Sequence, residues 1–224
     1  VQDGDDCVAI KSIPVLAPSS NITVRDVHCY GTHGISIGSQ TGGGISNILV
    51  RDDTLSGTDS LGNVSTDNNG IRIKSDALYG GVTQRVSYED VCMTGIKHLL
   101  YFNPHYAAGG TTIPTVRDIV LNGVVAVNSA KGAYSLFQGY DASHPLQIDL
   151  ENIQLDNTTQ TSDYVEAGLY NSNVVPSGPD VTVTPIQGYG SVPSCQFPSF
   201  GYPAQNGGWW HGWHRAHARK GGRA

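Results

Sequence analysis

Five four-residue segments of this chain align without gaps. They are Asn21-Ile22-Thr23-Val24, Asn47-Ile48-Leu49-Val50, Arg85-Val86-Ser87-Tyr88, Asp118-Ile119-Val120-Leu121 and Gln147-Ile148-Asp149-Leu150, at offsets of 26, 38, 33 and 29 residues. The second and fourth residue of each is apolar, the period-two alternation of a strand with one buried face. A turn-type column follows: Asp26, Asp52, Asp90, Gly123 and Asn152. Then a second apolar pair begins, with Val27 and Cys29, Val91 and Met93, Val124 and Ala126, and Ile153 and Leu155. Asp53 breaks that column in the second copy and Leu55 restores it. A further strand recurs downstream, and its inward pairs read as Val8 and Ile10, Ile35 and Ile37, Ile71 and Ile73, Leu99 and Tyr101, and Tyr134 and Leu136.

A unit of two or three short strands cannot bury its apolar face alone, so the copies must stack. The predicted fold is therefore all-β, a solenoid of parallel strands (a β-helix) with coils about 4.8 Å apart. Composition agrees, with 21 Val, 15 Ile and 16 Thr against 3 Glu and 5 Lys. A β-sandwich would also give short strands and turns, but it does not require matched columns at a near-constant repeat. Longer offsets are then coils with inserted loops, such as residues 58–68, a candidate lid. The pattern stops at Gly201. Residues 1–200 are expected to form a partial β-helix, and residues 201–224, which hold all three Trp, an irregular tail that reads first as disordered, with an interaction patch or sequence foreign to the fold as the other readings. His211, His214 and His217 have metal-compatible spacing but no scaffold or carboxylate to orient them, and are not read as a metal site.

The net charge is −6, and four of the thirteen basic residues lie in the last ten positions. The acidic body disfavours nucleic acid as a partner. No apolar run approaches the ~20 residues that cross a bilayer, which speaks against a membrane partner. The chain opens on Val1-Gln2-Asp3-Gly4-Asp5-Asp6-Cys7, without an initiator Met, and reads as a fragment or processed piece.

The chemistry concentrates on the outer side of the downstream strand. Asp5 and Asp6 precede Cys7-Val8, and His33 holds the equivalent place before Gly34-Ile35. Arg72 and Lys74 alternate with the inward Ile71 and Ile73 one coil further on, and are expected to point to solvent. Singly, each has an ordinary explanation as a turn or a solvated face. Jointly they place two carboxylates, an imidazole and two cations on one wall. Paired carboxylates serve glycoside hydrolysis, one as acid and one activating water. An Arg and a Lys beside them suit an anionic substrate.

Gly4-Asp5-Asp6-Cys7-Val8-Ala9-Ile10-Lys11-Ser12, His33-Gly34-Ile35-Ser36-Ile37-Gly38-Ser39 and Arg72-Ile73-Lys74, in that order, resemble the polygalacturonases of glycoside hydrolase family 28. The resemblance implies a right-handed parallel β-helix, N-terminally truncated here, and inverting hydrolysis of α-1,4-galacturonosyl linkages in pectin or polygalacturonate. It implies that Asp5 is the general acid, that Asp6 helps to activate water and that His33 is the active-site histidine. Arg72 and Lys74 would bind galacturonate, and Tyr106, closing the segment from Gly95, would be the active-site tyrosine. Tyr101 is set aside because its column reads as inward. The resemblance also implies a Cys7–Cys29 disulfide, a secreted monomer, an acidic plant cell-wall polysaccharide as partner, and no cofactor or metal. Thr32 stands where the family usually has Gly, which could alter the local backbone. The family's Asn-Thr-Asp motif is absent, so the chain by itself is expected to have little or no activity. Cys92 reads as a buried free thiol, and Cys195 has no assigned partner. Asn21, Asn63 and Asn157 begin glycosylation patterns. Alternative readings are an exo-acting or rhamnogalacturonan-type pectin hydrolase, and a non-catalytic carbohydrate-binding β-helix.

Overall fold

The structure is a computed structural model that describes residues 1–13 and 17–201. The expected disorder beyond Gly201, and His211, His214 and His217 with it, lie outside the described residues. Within them the chain has no helix, and the strands pair in parallel along two ladders, with Thr54–Ser56 joining His28–Tyr30 to Val82–Thr94 beside the second. One ladder stacks Val8–Ile10, Ile35–Ile37, Asn69–Lys74, His98–Asn103, Tyr134–Gln138 and Gln160–Asp163 in chain order. The other stacks Ser19–Arg25, Ile45–Arg51, Val82–Thr94, Thr115–Val127, Leu146–Leu155, Val165–Ser172 and Val181–Pro185, also in chain order. Each turn of chain adds one strand to each ladder, which makes a right-handed parallel β-helix.

The inward columns of the second ladder follow the sequence pattern. Ile22, Ile48, Val86, Ile119 and Ile148 pair in succession, and so do Val24, Val50, Tyr88, Leu121 and Leu150. The stack then continues beyond the five aligned segments, onto Ala167 and Leu169. Fully burying one such large side chain stabilises by about 1.5–3 kcal/mol, so the columns together hold the coils in register.

In the first ladder the fourth and fifth coils are corrected by one residue. Ile71 and Ile73 pair with Leu100 and Phe102, and Phe102 pairs with Phe137. The run Leu99-Leu100-Tyr101-Phe102 is apolar throughout, so alternation alone leaves two registers open. Packing chooses the one in which the Phe102 and Phe137 rings stack at 5.8 Å. A bulge between Tyr134 and Leu136 then shifts the fifth coil. Because strand side chains alternate, a one-residue slip moves every side chain to the other face. Tyr101 therefore shares the outer column of Arg72, not the core.

The turn column is a column of left-handed backbone. Asp26, Asp52, Asp90, Asn152 and Gly123 have φ of 54°, 58°, 52°, 53° and 76°. Asp, Asn and Gly are the residues that tolerate this region. Beside it Asp53 occupies an apolar column at 1% exposure. Its Oδ1 accepts from Val27 N at 2.6 Å, and its Oδ2 has no protein partner.

The chain then doubles back. Ile186 N donates to Leu169 O, and Tyr189 O accepts from Asn152 and Asn122. Cys195 is bonded to Cys92, and Pro198 O accepts from Tyr30 Oη at 2.7 Å. This strap crosses the coils in reverse order and pins the last to the first. The reading of Cys92 as a free thiol is thereby corrected. Its partner lies 103 residues away, beyond any local signal. In the loop-entropy picture, closing a loop of that length stabilises by about 4–5 kcal/mol.

Burial pushes the Asp53 carboxyl up to about 6, the Val27 bond opposing and the charges of Asp26 and Asp52 adding to it. The folded chain thus holds this proton more tightly than the unfolded chain, whose carboxyl titrates near ~3.9. The penalty is full above the folded value and disappears as pH falls towards the unfolded one. Asp53→Asn keeps an acceptor for Val27. It should raise stability to urea at about pH 7.5 by about 1–3 kcal/mol and change it little near pH 4. An equal gain at both pH values would show that the carboxyl's charge is not the cause.

Candidate active site

Asp5 and Asp6 stand on the segment entering Val8–Ile10. The Cys7–Cys29 disulfide, with Cα atoms 5.9 Å apart, ties that segment to the His28–Tyr30 strand. Two backbone bonds fasten it to the next coil, Cys7 N to Gly34 O at 2.9 Å and His33 N to Asp5 O at 2.6 Å. Gly34 must be glycine. Its φ is +83°, and a Cβ there would lie 2.2 Å from Gly70 O and 2.3 Å from Asn69 O. Thr32, by contrast, adopts no left-handed conformation and is buried, its Oγ1 accepting from Gly34 N at 3.3 Å. The departure from glycine there is absorbed without backbone change of that kind.

Asp6 is the centre of an ionic hub built from three coils. Its Oδ1 accepts from Ser36 Oγ at 2.8 Å and from Arg72 Nη2, and its Oδ2 accepts from Lys74 Nζ at 3.1 Å. Arg72 further donates from Nε to Ser36 Oγ at 2.9 Å and from Nη1 to Asp67 Oδ2 at 3.2 Å. Arg72 and Lys74 lie on the outer face of the sheet, yet their side chains are only 3% and 8% exposed. The expectation that they point to solvent is corrected here. Charges leave water at this cost only when paired, and both are paired with Asp6. Burial pushes the Asp6 carboxyl up, but the Ser36 hydrogen bond and the charges of Arg72 and Lys74 outweigh it and hold it below the usual range. Burial and the nearby Arg72 lower the Lys74 ammonium, with Asp6 opposing.

Around this buried centre lies an accessible rim. The Asp5 side chain is 81% exposed, and its Oδ1 lies 3.3 Å from His33 Nδ1. Tyr106 is exposed, with Lys74 Nζ 5.1 Å from its ring centroid. The structure thus brings Asp5, Asp6, His33, Arg72, Lys74 and Tyr106 to one wall. The argument that set Tyr101 aside fails, since Tyr101 pairs with Arg72 on the outer face.

Three further residues of the wall escaped the sequence reading. Ser36 bonds both Asp6 and Arg72, and its place between Ile35 and Ile37 in the outer column was a usable signal. Asp67 lies within 4.0 Å of Arg72, His33 and His98. It sits at the end of the 58–68 insertion, where no repeat column assigns a direction. His98 pairs in register with Asn69 and stacks on Tyr101. One donor atom each of Asp5, Asp6 and His33 lie within 4.8 Å of one another, close enough to converge on a cation. Asp6, however, already accepts from Ser36, Arg72 and Lys74, and those two cations would repel a metal. A separate cavity of about 660 Å³ lies under the strap between His28, Asp52, Asp53, Asp90 and Pro193. It holds none of the hub residues.

Residues 1–172 match the profile of the glycosyl hydrolases family 28. A polygalacturonase of Ralstonia nicotianae is 34% identical over 220 residues, covering 87% of this chain and 40% of that protein. An endo-polygalacturonase of Pectobacterium parmentieri is 34% identical over 164 residues, covering 71% and 37%. A probable endopolygalacturonase D of Aspergillus niger is 32% identical over 205 residues, covering 91% and 33%. The chain thus spans 33–40% of the length of these relatives. Among solved structures, the polygalacturonase from Erwinia carotovora ssp. carotovora superposes with a TM-score of 0.65 at 28% identity, over 75% of this chain and 42% of that one.

Removing Asp6 would leave Arg72 and Lys74 buried without their common counter-ion. Asp6→Ala should therefore cost about 3 kcal/mol or more of folding stability in urea titrations. Asp5→Asn, at the open rim, should stay within about 0.5 kcal/mol of the wild type. Equal effects of the two substitutions would contradict the division into a buried hub and an open rim.

Proposed function

This chain belongs to glycosyl hydrolases family 28, and from that membership we propose that the protein hydrolyses α-1,4-galacturonosyl linkages of polygalacturonate with inversion. The observation that carries the reading is the pairing of an exposed carboxyl, Asp5, with a hydrogen-bonded carboxylate, Asp6, beside two cations on the β-helix wall. Asp5, exposed at the surface with its Oδ1 accepting from Asp6 N and lying beside His33, is the group that protonates the departing glycosidic oxygen. Asp6 stays ionised to low pH because three donors hold its oxygens, so it can orient a water and take its proton as that water attacks the anomeric carbon. His33 holds the acid in place.

The positive charge of Lys74 and Arg72 supports a substrate that is itself an acid. Galacturonate carries one carboxylate per ring, and Lys74 Nζ, which among the described residues donates to Asp6 alone, has donors left to meet it. Tyr106, exposed beneath the same ammonium, offers a ring face to the sugar. Endo action follows the names of the Pectobacterium and Aspergillus relatives. Two disulfides suit an oxidising compartment, which supports secretion.

In the full-length protein, Asp5→Asn should lower reducing-sugar release from polygalacturonate at least about a hundredfold while oligogalacturonate binding persists. Turnover unchanged by the substitution would sink the assignment of the acid.

A further inference from the structure

The insertion at residues 58–68 delivers Asp67 to the junction of two imidazoles and the buried guanidinium. Its Oδ2 lies 3.2 Å from Arg72 Nη1 and 4.0 Å from His33 Nδ1. Its Oδ1 lies 3.4 Å from His98 Nδ1 and accepts from Asn69 Nδ2 at 3.0 Å. Asn69 Nδ2 also donates to Asp67 O at 2.8 Å, so one amide clamps both the backbone and the side chain of this residue. The side chain is 47% exposed, whereas the Arg72 it meets is 3% exposed.

We propose, resting on the hydrolase reading above, that Asp67 is a positioning residue of the active site, whose carboxylate fixes Arg72 from the open side and holds His33 and His98 around it. Arg72 has three engaged edges, on Ser36, Asp6 and Asp67. The first two come from earlier coils and leave the guanidinium free to pivot about its Asp6 side. Asp67 supplies the third point, from the rim, and a plane held at three points cannot pivot. The orientation of Asp6 depends in turn on the Nη2 contact, so the water-activating carboxylate is placed through Arg72 by a residue that itself touches no reacting atom.

The charges around the junction are consistent with an ionised Asp67. Burial pushes its carboxyl up, but the Asn69 bond, Arg72, His33 and His98 outweigh that and hold it low. His33 faces Asp5 and Asp67. His98 faces Asp67, Arg72 and Lys97, and packs against the rings of Tyr101 and Tyr134. Burial lowers the His98 imidazolium, and Asp67 is the anion that opposes this.

The test compares Asp67→Asn, which keeps size and removes charge, with Asp67→Glu, which restores charge. In the 224-residue chain, NMR titration of His98 should show its midpoint falling by about half a unit or more in the Asn variant and recovering in the Glu variant. On polygalacturonate, the Asn variant of the full-length protein should lose about tenfold in kcat with KM changed less than threefold, and the Glu variant should recover part of that loss. A His98 midpoint that does not move, a kcat at the wild-type level, or a Glu variant as impaired as the Asn variant would each overturn the proposal. The titration needs no turnover. Full-length wild-type protein inert on polygalacturonate would count against the hydrolase reading, and the His98 arm, read in the 224-residue chain, would still decide whether Asp67 is the charge that organises this junction.

Discussion

Parallel pairing sets adjacent coils about 4.8 Å apart, so the nearest neighbour of a side chain is its counterpart one coil along. In the core this stacks Ile22 on Ile48 on Val86, and like shapes fill like spaces. On the outside the same geometry makes a chemical device. Asp6, Ser36 and Arg72 come from three successive coils, far apart in sequence, and the pairing of Ser36 with Arg72 brings them within hydrogen-bond reach. The site therefore needs no pocket carved from loops. It needs coils in register, and the inward columns supply that.

Devices outside the columns keep the register. The Cys7–Cys29 bond fixes the segment that carries the two acids. The strap, with its Cys92–Cys195 bond and its Tyr30 contact, joins the last coils to the first. Against these stands Asp53, a carboxyl in an apolar column whose Oδ2 finds no protein partner. Its raised proton affinity makes the stack more stable in mildly acidic surroundings than in neutral ones. The hub behaves in the opposite sense: Asp6 keeps its charge, and with it the pairing of Arg72 and Lys74, to low pH.

Much of this was legible because the chain repeats. The second ladder could be read residue by residue, since its apolar pairs and its Asp/Asn/Gly turn column recur at matched positions from copy to copy. Legibility failed where alternation was ambiguous, as in Leu99-Leu100-Tyr101-Phe102, where ring packing rather than pattern sets the face. It failed where a coil shortens, as at Ala167 and Leu169, which follow Ile148 and Leu150 by only 19 residues. The positions of Asp5, Asp6, His33, Arg72 and Lys74 on one wall followed from column arithmetic. Their burial did not, because it depends on which counter-charges close over them, and Asp67 arrives from an inserted loop that no column constrains. The Cys92–Cys195 pair is a contact between a coil and a strap, and repeats carry no information about straps.

What ties fold to function is the claim that this wall selects an anionic sugar polymer through a charge hub assembled by stacking. The most direct measurement is calorimetric binding of tetragalacturonate compared with the same oligomer fully methyl-esterified, at low and at raised ionic strength. The acid form should bind at least about tenfold more tightly, and that advantage should shrink as salt is added. Equal affinity for the neutral ester, unaffected by salt, would contradict the account.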